Sequence, residues 1–64
     1  MAVINGEQKN VTGQNLASFL NDEGYDISKI VVERNLEIIP KDKLVDIVIE
    51  EGDSIEILQF VGGG

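Results

Sequence analysis

Cysteine, histidine and tryptophan are absent from this chain, and it holds a single proline. No disulfide can form, no thiolate or imidazole is available to ligate a metal ion, and there is neither a Cys nor a His nucleophile. Aromatic residues are scarce, with one Tyr and two Phe, so stability has to come from aliphatic packing. Basic residues are also few: 5 Lys and Arg stand against 12 Asp and Glu, for a formal net charge of −7. Such a charge opposes contact with the phosphate backbone of nucleic acid and with an anionic membrane surface. It serves either solubility alone or an acidic surface that matches a basic partner. Long apolar runs are missing too. Met1 to Ile4 is too short to span a membrane and lacks the basic flank of a signal peptide, so the expected compartment is cytoplasmic.

The 64 residues suffice for one domain, close to the smallest size that folds without disulfides or metal. So small a body has little room for a water-excluding pocket, and intrinsic catalysis is not expected.

Ala2-Val3-Ile4 reads as a short strand, and Asn5-Gly6 is a dipeptide that tolerates the two positive φ angles of a tight hairpin. Glu7 to Val11 is the expected return strand, and its polarity suits a sheet edge. Leu16, Ala17, Phe19 and Leu20 recur at helical spacing, while Ser18, Asn21, Asp22 and Glu23 fall on the opposite face. The spacing predicts a helix over 16–23, with Asn15 as N-cap and Gly24 as the left-handed residue beyond its end; Tyr25 is expected to fold back on it. Ile30 to Glu33 is β-branched and strand-like, with a turn at Arg34-Asn35. Leu36 to Ile39 reads as a second extended piece stopped by Pro40. Lys41 to Ile49 fits a helical turn followed by a short strand. Glu50 to Asp53 is a turn, and Ser54 to Val61 is the longest strand pattern. Its alternation sets Ile55, Ile57, Gln59 and Val61 on one face and Glu56, Leu58 and Phe60 on the other.

Hairpin, helix, strand, short irregular pieces and final strand make an α+β chain. The order fits the ubiquitin-like β-grasp layout: a mixed sheet of four to five strands packed against one main helix, with the first and last strands parallel at its centre. Ferredoxin-like and split β-α-β layouts need a second full helix or other strand counts. Residues 1–61 would form this domain and 62–64 a tail.

Gly62, Gly63 and Gly64 carry no side chain to pack and are expected to be mobile. They fit a plain linker or a cloning remnant. They equally fit a bare backbone of roughly 10 Å reach that threads into another protein's active site. In that second reading the reacting group is the Gly64 carboxylate, converted by ATP to an acyl-adenylate and then by a sulfur nucleophile to a thiocarboxylate. The acid, base and metal for these steps would belong to a partner enzyme.

Asn5-Gly6, Asn15-Leu16 with Phe19-Leu20, Val32-Glu33-Arg34-Asn35, Glu37-Ile38-Ile39-Pro40, Gly52-Asp53, Ile55-Glu56-Ile57 and Phe60-Val61-Gly62-Gly63-Gly64, in this order and spacing, resemble the ThiS family of thiamin-biosynthesis sulfur carriers. The resemblance covers nearly the whole chain. It implies adenylation of Gly64 by an E1-like adenylyltransferase (ThiF-like) that uses ATP and Mg, conversion to the thiocarboxylate with a sulfur donor enzyme, and delivery of sulfur to a thiazole synthase (ThiG-like). No cofactor would be bound by the chain itself. Gly63 and Gly64 match the family's reactive pair, and Gly62 is an extra glycine. Lys41 and Leu44 stand where many relatives carry Arg and Trp. A molybdopterin synthase small subunit (MoaD-like) shares fold and tail and is the alternative within the class. A non-covalent ubiquitin-like interaction module is the alternative outside it.

The face of Glu56, Leu58 and Phe60, with Val61, is the candidate partner-binding surface, since apolar residues on the solvent side of a strand can mark a docking site. Leu58 and Phe60 could instead pack beneath a loop. Glu50, Glu51 and Asp53 lack the ligand spacing of a calcium loop and read as a solvated turn, so no metal site is expected.

Overall fold

The computed structural model describes residues 1–60. Val61 and the tail Gly62-Gly63-Gly64, and with them the expected domain boundary, lie outside the described residues. Five strands and one α-helix follow in the order β1 (Ala2–Ile4), β2 (Glu7–Lys9), α1 (Leu16–Asp22), β3 (Ile30–Arg34), β4 (Glu37–Ile39) and β5 (Ser54–Gln59). The strands form one sheet in the order β2-β1-β5-β3-β4. β1 and β5 run parallel, and the other pairs are antiparallel. This is the expected β-grasp arrangement, with the last strand in the middle and the polar β2 at an edge.

Local chemistry accounts for the helix. Asn15 has extended backbone and its side-chain oxygen accepts from the Ser18 N–H at 3.1 Å, an N-cap in the expected place. At the other end Gly24 takes φ +87°. Its N–H donates to the Asn21 carbonyl and the Tyr25 N–H to the Leu20 carbonyl, each at 3.0 Å. This pair of bonds is the Schellman arrangement, which satisfies carbonyls that the helix end leaves free. Glu23 therefore serves as the C-cap, one residue short of the predicted span. Leu16, Ala17, Phe19 and Leu20 are buried together against Ile4, Ile30, Val32, Ile55 and Ile57 of the sheet, and Leu44 and Ile49 close the core at its side.

The structure departs from the expected elements at several places. β2 stops at Lys9 because its partner β1 begins at Ala2, directly opposite, so no strand remains to pair with Asn10 and Val11; Val11 turns into the core instead. Leu36 is not extended. Arg34 pairs with Glu37, so Asn35 and Leu36 form the whole turn, at φ +52° and +71°. Lys41–Asp46 is a 3-10 turn that is not followed by a strand: Val48 makes a lone bridge to Asn15. Ile27–Lys29 is a further 3-10 turn, started where Asp26 accepts from the Ser28 N–H and hydroxyl. β5 itself ends at Gln59 within the described residues.

With a core this small, single truncations should be felt. Leu20→Ala is expected to lose about 3 kcal/mol through the cavity it leaves. Gly24→Ala meets no obstructing atom and is expected to cost about 1 kcal/mol from its left-handed backbone alone. Urea unfolding followed by circular dichroism checks both, and equal losses would contradict this assignment of roles.

Candidate functional site

β5 carries the candidate partner face. Ile55 and Ile57 point to the helix and are buried, whereas Glu56, Leu58 and Phe60 lie exposed on the side of the sheet that no helix covers. Leu58 is 49% and Phe60 60% exposed, which removes the reading that they pack beneath a loop. Strand register assembles the rest of this open face. Leu58 lies opposite Val31, and Glu56 opposite Glu33, which in turn faces Ile38 across to β4. Ile38 is 67% exposed. Val31, Glu33 and Ile38 belong to the surface, and sequence reasoning missed them, because only the β3–β5 and β3–β4 register brings them beside Leu58 and Glu56. Val61, the remaining member of the predicted face, and Gly62, Gly63 and Gly64 lie outside the described residues.

The far end of β5 is joined to β3. The Phe60 N–H donates to the Lys29 carbonyl at 3.0 Å, and the Lys41 ammonium donates to the Ser28 carbonyl at 2.8 Å. The first bond ties Phe60 to the turn before β3, and the second ties that turn to the segment after β4. Lys41 is thus a structural anchor, and Leu44, where a Trp was noted for relatives, is fully buried.

The start of β5 is held by a polar cluster. Asp53 is only 5% exposed and is the one buried charged side chain among the described residues. One of its oxygens accepts from Arg34 Nε and from the Glu50 N–H, each at 2.9 Å, and the other from the Asn35 amide at 3.0 Å. Burial by itself would raise the Asp53 pKa. The Glu50 N–H, the Asn35 amide and the Arg34 guanidinium outweigh burial and hold it below the ordinary value of 3.8. Asp53 in return raises the pKa of Arg34. Arg34 also reaches Glu50 at 2.8 Å. Glu51 receives the Met1 amine, which lowers its pKa, and the Thr12 hydroxyl. Glu50 and Asp53 therefore share Arg34, whereas Glu51 faces the Met1 amine and Thr12. The expected solvated turn holds for Glu50 and Glu51 and is corrected for Asp53, whose burial follows from its contacts with Arg34 and Asn35.

The described residues enclose no pocket and gather no group of three or more metal-ligating side chains. None of their helices is long and apolar enough to cross a membrane.

A family model described as the ThiS family matches residues 2–64. The chain belongs to the ThiS family. Among its relatives is a thiazole synthase of Paramagnetospirillum magneticum, 43% identical over 63 residues, which are 97% of this chain and 19% of that protein. The chain likewise spans 19% of a thiazole synthase of Magnetococcus marinus, at 36% identity over 62 residues. It matches the sulfur carrier protein ThiS of Bacillus subtilis at 49% identity over 35 residues, 55% of this chain and 53% of that one. In structure it is similar to the thiamine biosynthesis protein ThiS of Geobacter metallireducens, with a TM-score of 0.75 at 24% identity, covering 98% of this chain and 97% of that one. That likeness shows that the two share the ThiS fold.

The Asp53 cluster makes stability depend on pH with a defined sign. A carboxylate whose folded pKa lies below its unfolded one stabilises fully above the unfolded value, and the contribution is lost as pH falls toward the folded value. Stability is expected to hold from neutrality to about pH 5 and to fall below about pH 4. Asp53→Asn should flatten that fall, and Asp53→Ala should cost about 2 kcal/mol at pH 7, because the Asn35 amide and the Glu50 N–H lose their acceptor and Arg34 keeps only the exposed Glu50. Urea titrations at stepped pH check this; an Asp53→Asn curve parallel to wild type would refute it.

Proposed function

We propose that this chain is a sulfur carrier for thiazole formation in thiamin biosynthesis, with the carboxylate of Gly64 as its working group. The observation that carries this reading is the ThiS family match, which runs through the glycine tail to residue 64. The sequence supports it from a second side. With no thiol and no imidazole anywhere in the chain, a terminal carboxylate is the group whose activation needs nothing more from this protein than access.

The steps follow from carboxylate chemistry. A Gly64 oxygen attacks the α-phosphorus of ATP on an E1-like adenylyltransferase that holds Mg, and pyrophosphate leaves. The acyl-adenylate has AMP as a good leaving group. The terminal sulfur of a donor enzyme's persulfide attacks the carbonyl carbon and AMP departs, giving an acyl disulfide; a second thiol then attacks the donor's sulfur, which releases the thiocarboxylate and leaves the two thiols joined as a disulfide. A thiazole synthase then takes the sulfur and returns the carboxylate. Catalytic groups for these steps sit on the partners, so the chain acts as substrate and donor, and as an enzyme in none of them. Residues 62–64 form the tail that reaches into each partner, since glycines present no Cβ to obstruct a narrow channel. Residues 1–61 are taken as the body, and its open face at Glu56, Leu58 and Phe60, with Val61 next in sequence, is the docking surface. The setting is the cytoplasm, where these enzymes and ATP meet.

The family match and the Bacillus subtilis relative favour thiamin service over a molybdopterin synthase small subunit. The thiazole synthase relatives support a thiazole synthase as the recipient. The exposed Leu58 and Phe60 also suit a purely non-covalent module. In that case partner-dependent activity would survive deletion of Gly63 and Gly64.

Incubation with ATP, an E1-like adenylyltransferase and a sulfur donor is expected to give the intact-mass increment of one oxygen-for-sulfur exchange at Gly64. A chain lacking Gly64 should show none. No exchange with an adenylyltransferase active on another carrier would overturn the carrier role. Leu58→Ser and Phe60→Ser are expected to weaken binding to the adenylyltransferase by about tenfold each while the fold persists. Unchanged affinity in both would remove the docking face from the reading.

A further inference from the structure

Glu33 on β3 and Glu56 on β5 are direct cross-strand partners on the open face of the sheet. Side chains so placed stand about 5 Å apart at their β-carbons, and like charges directly opposite one another are destabilising. Among the described residues neither carboxylate takes part in an ion pair, and Arg34, the adjacent cation, is engaged by Asp53 and Glu50. Glu33 is moreover half-buried, which makes an uncompensated charge there more costly.

The surroundings select the group that would relieve the pair. One step along the same two strands lies the apolar pair Val31 and Leu58, with Phe60 beyond it toward the tail, and Ile38 flanks Glu33 on the other side. A side chain that reaches both carboxylates must run its stem over this apolar surface and bring several donors to its tip. Arginine meets both requirements: an aliphatic stem, a weakly hydrated planar head and five donors in a fixed fork. A lysine ammonium is more strongly hydrated and lacks the fork.

We propose that Glu33 and Glu56 jointly receive one arginine of the protein that docks on this face and takes up the tail. The paired carboxylates then act as a specificity device: unfavourable in the free chain, neutralised in the complex, and positioned by sheet register with respect to Leu58, Phe60 and the root of the tail. This proposal rests on the carrier reading above and commits to the E1-like adenylyltransferase as the occupant. The net charge of −7 makes the encounter faster with a basic surface; the register of the two glutamates adds where the cation must land.

The test uses the full chain as wild type, Glu33→Gln, Glu56→Gln and the double variant, with binding to the adenylyltransferase measured at low and high salt. Either single change is expected to weaken binding about tenfold at low salt and to reduce its salt dependence. The double variant should be little weaker than either, because both carboxylates hold one cation. Leu58→Ser should weaken binding while leaving the salt dependence in place. Without any partner, each Gln variant should melt roughly 2–5 °C higher than wild type at low ionic strength, because a repulsion has been removed. Equal affinities in all four proteins, fully additive losses, or unchanged or lower melting temperatures in the Gln variants would each overturn the proposal. Thiocarboxylate formation by the wild type separates the two levels. If it occurs while the glutamate variants bind unchanged, the carrier reading stands and the arginine site falls; if the wild type neither binds nor exchanges, both fall.

Discussion

The position of β5 depends on a single buried carboxylate. Asp53 sits one residue before the strand and is held by Arg34, Asn35 and the Glu50 N–H, so the start of β5 is set against the end of β3. Strand faces alternate with period two, and a slip of one residue would exchange Ile55 and Ile57 for Glu56 and Leu58 in the core. The same cluster that stabilises the fold thereby decides which side chains reach solvent on the open face. Two asparagines extend this control to both neighbours of β5. Asn35 accepts from the Ser54 N–H with its side chain, and Asn5, at the first hairpin, accepts from the Ile57 N–H at 2.7 Å. Each turn is thus tied to the central strand as well as to its own hairpin.

Features written over short stretches of sequence could be read from it. The Asn15 cap, Gly24, the Leu16-Phe19-Leu20 stripe and the Ile55/Ile57 alternation each depend on residues within a turn or two of one another. Asn5-Gly6 declared its hairpin for the same reason. The parallel β1–β5 pairing was legible as topology because few layouts accept one helix and this order of strands. Features that join distant positions were hidden. Asp53 in a run of acidic residues looks like part of a wet turn until Arg34, 19 residues away, is known to meet it. Leu36 gave no warning of positive φ, since leucine avoids that region and only the two-residue spacing between paired strands imposes it.

The candidate site divides the same way. Glu56, Leu58 and Phe60 could be selected from alternation alone. Val31, Glu33 and Ile38 could not, because their place on the face follows from pairings between strands that are far apart in the chain. The conspicuous glycines needed no fold to be noticed, and their chemistry is inferred from the family and from the absence of any Cys or His. Leu36, 91% exposed at the tip of its hairpin, has no structural explanation in the contacts around it.

The central place of β5 bears on how the protein is made. A ribosome releases β1 to β4 well before Ser54–Gln59, yet β1 and β3 share no edge and are joined only through that last strand. Until it arrives the two hairpins are separate, each too small to hide its apolar side, and the contacts that unite them span most of the chain. A product cut short before residue 54 therefore has no complete sheet and leaves the apolar sides of both hairpins exposed. Closure of the sheet waits on residues 54–59, so a chain whose core is sealed is one in which β5 has already been made.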